Sequence, residues 1–461
     1  MSQLNVVAAF DNKIIKKLQI ASSSEGEKAI ELAFQTHKNK DQRLPKYKRI
    51  EILQKLIHYM TSQKESIIEI AVKEGGKPWT DTQIEVDRAI QGIHCAINEI
   101  ENLSGTQIPM GITKGSQNRL AFTTIEPRGV VLAISAFNHP VNLIVHQVVP
   151  AIAAGCPVII KPASTTPLSC LNFIDILYQS GLPKAFCQAL ICTRQDAEKL
   201  VSDKRISFLT FIGSGKVGWR LRSLVAPGVH CALEHGGAAP VIVERDADLS
   251  KMIPSLLKGG FYHAGQVCVS VQRVYVHESI LDGVLEKFIP QVKKLIVGSP
   301  LDKKTQVGPL ISPKEVDRVE LWVNQAAQSG GKILCGGKRI SDTLYEPTVI
   351  LNPDKEAKVS TQEIFGPVVC FYPYSSISDA IKRANSLPFS FQAAIFTQDI
   401  NIAFDTIQRL KAEAVMVNDH TAFRVDWMPF GGSEQSGLGT GGIGYSIKDM
   451  SREKFFVLNL S

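Results

Sequence analysis

GVVLAIS (129–135), NLIVHQVVPAIAAG (142–155) and CPVIIKP (156–162) follow one another almost without interruption. Two short β-branched apolar runs bracket a longer stretch of helical length, which reads as strand, helix, strand. The same texture returns in ICTRQDAEKLVS (191–202), ISFLTFIG (206–213) and KVGWRLRSLVA (216–226). Strands and helices that alternate in this way imply an α/β fold on a doubly wound parallel sheet. Past His235-Gly236-Gly237 a second α/β series begins, with APVIVE (239–244), a helical stretch from Leu249 to Tyr262 and SVQRVYVH (270–277).

Upstream, the first hundred residues read as two or three amphipathic helices, because Ile50, Leu53, Leu56, Ile57 and Met60 recur at helical spacing. Ser62 with Glu65 and Thr82 with Glu85 have capping-box spacing, and Gly75-Gly76 ahead of Pro78 reads as a helix stop. AFTTIEP (121–127) is strand-like. The terminal EKFFVLNLS (453–461) alternates as a strand without a hairpin partner nearby, so its edge is expected to pair with another region or another subunit.

With 461 residues, 44% apolar and 21% charged, the chain has ordinary globular composition and length for about three structural units. The net charge of +7 is spread without any run of five like charges, which argues against a nucleic-acid partner. The N-terminus lacks the basic region of a signal peptide, and the longest nearly apolar stretch, 148–160, is broken by Pro150, Gly155 and Pro157. A soluble protein, away from the membrane, is expected. Nine cysteines, none in C-x-x-C spacing, offer no zinc site and read as reduced thiols in a cytoplasm, so no metal is expected.

Gly213-Ser-Gly215-Lys-Val-Gly218 fits G-x-G-x-x-G between an expected strand and helix, with Glu234 about 20 residues on, the pattern of a dinucleotide site. There the free N–H groups of a helix start favour an anionic pyrophosphate. A glycine-rich β-to-α turn without ligand fits the same residues. A P-loop does not, since Thr210 and Val217 stand where that motif has glycine and Ser or Thr.

More specific is an ordered set: AFNHP (136–140), KPAS (161–164), FIGSGKVG (211–218), LEHGG (233–237), GQVC (265–268), EIFGP (363–367) and PFGG (429–432). Together these resemble the NAD(P)-dependent aldehyde dehydrogenase superfamily of the non-phosphorylating, hydrolytic type, over nearly the whole chain. The resemblance makes Cys268 the nucleophile that attacks an aldehyde carbonyl. It makes Asn138, with the backbone N–H of Cys268, the oxyanion hole, and Glu234 the base that activates water against the thioester. A thiol needs only modest activation for this role. Hydride must leave to a nicotinamide, NADP or NAD, with NADP favoured by Ser164 and Lys216 where NAD-preferring relatives usually carry Glu. The cofactor residues implied are Lys161, Ser164, Gly213, Ser214, Gly218, Glu363 and Phe365.

The resemblance also implies a division of the chain. Residues 1–105 and 128–235 would form the cofactor-binding domain, 236–435 the catalytic domain, and 106–127 with 444–461 a protruding β oligomerisation element that makes a homodimer or homotetramer. Three departures stand out: AFNHP for the aromatic PWNFP, LEHGGA for LELGGK, and Ser436-Gly-Leu-Gly439-Thr-Gly-Gly for SGxGRE. His139 beside Asn138, and Arg424 just before PFGG, suggest a small anionic or hydroxylated aldehyde; Arg424 paired with Asp426 at the surface is the plainer alternative. A CoA-acylating or reductive semialdehyde enzyme of the same fold, and an inactive scaffold, are the rival functions. Glu234 argues against the first two and Cys268 against the third.

Overall fold

The computed structural model describes residues 3–460. Every residue of the strand Val130–Ile134 and of the helix Asn142–Ala154 is buried, as the unbroken apolar runs require of elements covered on all sides. The strand lies inside a six-stranded sheet ordered Gly437–Leu438, His230–Glu234, Ile206–Ile212, Val130–Ile134, Val158–Lys161, Cys187–Ala189. Five of these run parallel, and Gly437–Leu438 pairs antiparallel at the edge. The chain goes out from Val130–Ile134 in one direction and returns to Ile206–Ile212 on the other side. Such a reversal opens a crevice at the carboxyl ends of the two strands.

A second sheet of seven strands is ordered Lys332–Cys335, Thr348–Leu351, Val368–Tyr374, Val271–His277, Ala239–Val243, Gln392–Phe396, Ala414–Val417. Only Lys332–Cys335 is antiparallel to its neighbour. The terminal strand Ser451–Asn459 finds its partner within the chain, antiparallel along the whole of Arg119–Pro127, whose other edge takes Gln107–Ile108. Among the described residues, no helix is long and apolar enough to cross a membrane.

The N-terminal region corrects the all-helical expectation in three places. Gln3–Val7 and Ile14–Gln19 form a hairpin turned at Asn12, whose backbone is left-handed at φ 57°. The second strand is almost wholly exposed, so no buried alternation marks it in the sequence. Four helices follow it, Ser23–Lys38, Lys46–Ser62, Lys64–Gly75 and Trp79–Asn102, the third ending at Gly76 as expected. Neither proposed capping box forms. Ser62 closes the preceding helix by donating to the Tyr59 carbonyl, and Thr82 lies inside the fourth helix, bonded to the Pro78 carbonyl. A capping box does form between Ser22 and Glu25.

Candidate active site

Glu85, released from capping duty, has a different task. Its Oε1 accepts from the backbone N–H groups of Val141 and Asn142 at 2.8 and 2.9 Å, and its other oxygen pairs with the buried Lys77. Lys77 donates in turn to the Asn138 carbonyl at 3.2 Å. The turn AFNHPV is therefore pinned from behind by an ion pair, and the Asn138 side chain faces a cavity of about 570 Å³. One amide hydrogen of Asn138 goes to the Gln266 carbonyl at 3.0 Å, which leaves the second for the cavity.

The cavity lies between the two sheets. From the first come Asn138, Gly213, Ser214 and Glu234, each at or just beyond the carboxyl end of a parallel strand. From the second come Cys268, ahead of Val271–His277, and Glu363 with Phe365, ahead of Val368–Tyr374. His139 and Arg424 complete the sequence-selected residues on its wall. Lys161, Ser164 and Gly218 are not on it; Ala163 is the member of KPAS that lines the cavity.

At one end Ser214 starts the helix Gly215–Leu224 without capping it through its side chain, so the first N–H groups have no side-chain acceptor. Gly218 serves packing: a Cβ there would overlap Nε2 of His235, the histidine of LEHGG, which is boxed edge-on by Phe211 and Trp219. Lys216 is exposed. Lys161, half-buried, donates to the Pro162 carbonyl at 3.2 Å.

Next along the cavity, burial pushes Glu363 up to about 8 against the pull of Arg318, and its Oε1 is buried without a partner. A Cβ at Gly236 would overlap that oxygen, so only glycine allows the approach. Phe365 holds a left-handed φ of 47° and meets Phe137 edge-on at 5.8 Å. An uncapped helix start, an unpartnered carboxylate oxygen and an aromatic ring in sequence fit the phosphates, ribose and ring of a dinucleotide.

Cys268 is half-buried in a small apolar cluster with Val267, Val269, Phe391 and Phe430. Burial, reinforced by Glu363 and Glu234, pushes its thiol up to about 12, with Arg424 pulling the other way. Burial thus favours the neutral thiol, and the nearby guanidinium of Arg424 favours the thiolate. Burial likewise raises Glu234, again opposed by Arg424.

Two expectations about the substrate end also change. Burial, then Lys77, hold His139 well below its ordinary value, so it supplies a hydrogen bond to Tyr262 at 3.1 Å and no positive charge. Asp426 is 1% exposed and does not pair with Arg424 at the surface. It takes a bidentate contact from Arg88 at 3.1 and 2.9 Å, with His146 and Asn142 on the same oxygen. Arg424 stacks on the Phe430 ring, 3.5 Å from its centroid, and its buried Nε has no partner. Arg88 also lines the cavity and was not selected from the sequence. It lies 338 residues from its carboxylate partner, and no local pattern marks it.

The fold and this cavity define an α/β oxidoreductase, and comparison narrows it: the chain belongs to the aldehyde dehydrogenase family, matched over residues 1–456. It is an NAD(P)-dependent enzyme that oxidises an aldehyde. Its sequence is 37% identical over 460 residues to the 3-sulfolactaldehyde dehydrogenase of Priestia aryabhattai, covering 99% of this chain and 95% of that one. Aldehyde dehydrogenase 21 from Physcomitrella patens, solved with the reaction product succinate, superposes with TM-score 0.96 at 37% identity, over 100% of this chain and 95% of that one. The glyceraldehyde-3-phosphate dehydrogenase GapN of Methanocaldococcus jannaschii, solved with NADP, gives 0.94 at 36% identity over 99% of each chain.

Proposed function

We propose that the protein oxidises a small anionic aldehyde to its carboxylate through a covalent thioester on Cys268. The observation that carries the substrate class is Arg424. It lies on the same cavity wall as Cys268, makes no ion pair among the described residues, and has a buried Nε without an acceptor. Arg88 stands on the same wall. A buried guanidinium donor without a partner is costly, and a substrate carboxylate, sulfonate or phosphonate would satisfy it. The names of the relatives agree, since one acts on a sulfonated aldehyde and another holds a dicarboxylate product.

In this reading Cys268 loses its thiol proton to water as its sulfur adds to the carbonyl, and the second amide hydrogen of Asn138 with the Cys268 backbone N–H receives the oxyanion. Loss of one such donor typically costs about 10²–10³ in rate. A nicotinamide held beside Glu363 and Phe365 would supply the hydride acceptor. Glu234, raised by burial, takes a proton from the water that cleaves the thioester. Lys161, Ser164, Gly213, Ser214 and Gly218 would shape the adenosine and phosphate end, and Glu363 and Phe365 the nicotinamide end. NADP⁺ should serve at least as well as NAD⁺, because Ser164 sets no carboxylate against a 2′-phosphate and Lys216 is an exposed cation in the turn GSGKVG.

The division into a cofactor domain (1–105, 128–235), a catalytic domain (236–435) and an oligomerisation element (106–127, 444–461) belongs to the same proposal. Phe455, Val457 and Leu458 on the terminal strand, and Leu460 just past it, are 43–64% exposed, an apolar edge suited to a homodimer or homotetramer.

The test is kcat/KM for 4-oxobutanoate against the neutral, length-matched butanal. The expected preference for the anion is about 10- to 100-fold, lost mostly in Arg424→Ala. Equal efficiency on both substrates in the unmodified enzyme would overturn the anionic reading.

A further inference from the structure

Arg424 is held by a side chain that takes no charge from it. His146 comes from the helix Asn142–Ala154 and is 4% exposed; Asp426 is in the loop that carries Arg424. Asp426 Oδ1 lies 2.7 Å from His146 Nε2 and accepts from Asn142 Nδ2 at 3.1 Å and Arg88 Nη2 at 2.9 Å, while Oδ2 accepts from Arg88 Nε at 3.1 Å. Three N–H donors from Arg88 and Asn142 converge on this carboxylate, which is consequently ionised and can only accept. The proton on the imidazole is therefore on Nε2.

A neutral ring protonated at Nε2 has a lone pair on Nδ1, and that nitrogen faces Arg424 Nη2 at 3.2 Å. The guanidinium has donors only, so the other tautomer would set hydrogen against hydrogen. Burial and Arg424 together push His146 down to about 4, which keeps it uncharged beside the arginine.

We propose that Asp426 and His146 act as a positioning pair that fixes the imidazole tautomer, and through it aims Arg424 at the anionic end of the substrate. This rests on the anionic-aldehyde reading above. A carboxylate bonded directly to Arg424 would orient it equally well, but would also cancel the charge the substrate needs. Here the Asp426 charge is matched by Arg88, and a neutral imidazole transmits only direction. Arg424 keeps its full charge and its unpartnered Nε for the cavity. Holding a long side chain in place before binding also spares the substrate that ordering cost.

Two substitutions separate the roles of the two ring nitrogens. His146→Gln can still donate to Asp426 but loses the acceptor toward Arg424, and His146→Asn places its amide oxygen near the former Nδ1. The expected result for His146→Gln is a KM for 4-oxobutanoate raised about 5- to 10-fold, with kcat and KM for butanal within about twofold of the parent. His146→Asn should recover most of the anion preference. In ¹⁵N-histidine spectra of the unsubstituted enzyme, His146 should show a protonated Nε2 and a bare Nδ1, a readout independent of how the variants fold.

The opposite tautomer would overturn the proposal, as would equal losses on both substrates in His146→Gln, or an intact anion preference in that variant while Arg424→Ala abolishes it. An unsubstituted enzyme indifferent to substrate charge would instead overturn the anionic-aldehyde reading, and this proposal with it.

Discussion

The carboxylate of Glu234 lies directly against Gly441, so closely that a Cβ at position 441 would overlap Glu234 Oε1 and crowd the Phe430 carbonyl. Gly441 belongs to Thr-Gly-Gly, one of the three departures from the family pattern, which has charged residues there, and the bare backbone gives Glu234 its room. Gly441→Ala should displace the carboxylate without touching Cys268. Steady-state turnover is expected to fall about tenfold or more while the first burst of reduced cofactor survives. Rapid-mixing absorbance at 340 nm measures both, and an unchanged steady rate would separate Gly441 from the deacylation step.

The raised position of Glu234 sets a pH dependence. A general base works only when ionised, and burial favours its neutral form, so activity is lost as pH falls through a value above the ordinary 4.5. The pH profile of kcat under deacylation-limited conditions should show this acid limb. Glu234→Gln should remove the limb and slow hydrolysis more than acylation, so that a burst precedes a slow steady rate.

Cys268, Glu234 and Asn138 each stand in a short motif that carries the family resemblance, and the folded chain brings the three to one cavity. The parallel sheet was legible from VVLAI and its neighbours because full burial leaves an unbroken apolar run. The N-terminal hairpin was not, since its exposed second strand carries no such run. Arg88 and His146 were hidden for another reason. Their partner Asp426 is 338 and 280 residues away, and buried ion pairs across that distance leave no periodic trace. Thr82 and Glu85 show the converse error, in which a local spacing suggested a cap and tertiary contacts decided otherwise.

Asp426→Ala would leave Arg88 partly buried without its bidentate partner and His146 without its acceptor. Removing one member of a buried ionic cluster typically costs about 3 kcal/mol, because the remaining charge is uncompensated. Urea denaturation should show a loss of this order. A change near zero would mean that water readily replaces the carboxylate.

Cofactor choice is read from Ser164 and Lys216. Ser164→Glu would set a carboxylate against the 2′-phosphate, and kcat/KM for NADP⁺ should fall severalfold or more while NAD⁺ is little affected. Side-by-side kinetics on parent and variant decide this, and a parent enzyme blind to NADP⁺ would refute it.

The covalent step is open to direct inspection. Mixing Glu234→Gln with 4-oxobutanoate and oxidised cofactor, then quenching and digesting, should leave an acyl group on the peptide that contains Cys268, and none in Cys268→Ala. Reduced cofactor formed in stoichiometric amount with Cys268 unmodified, or the acyl group on another of the nine cysteines, would contradict the mechanism.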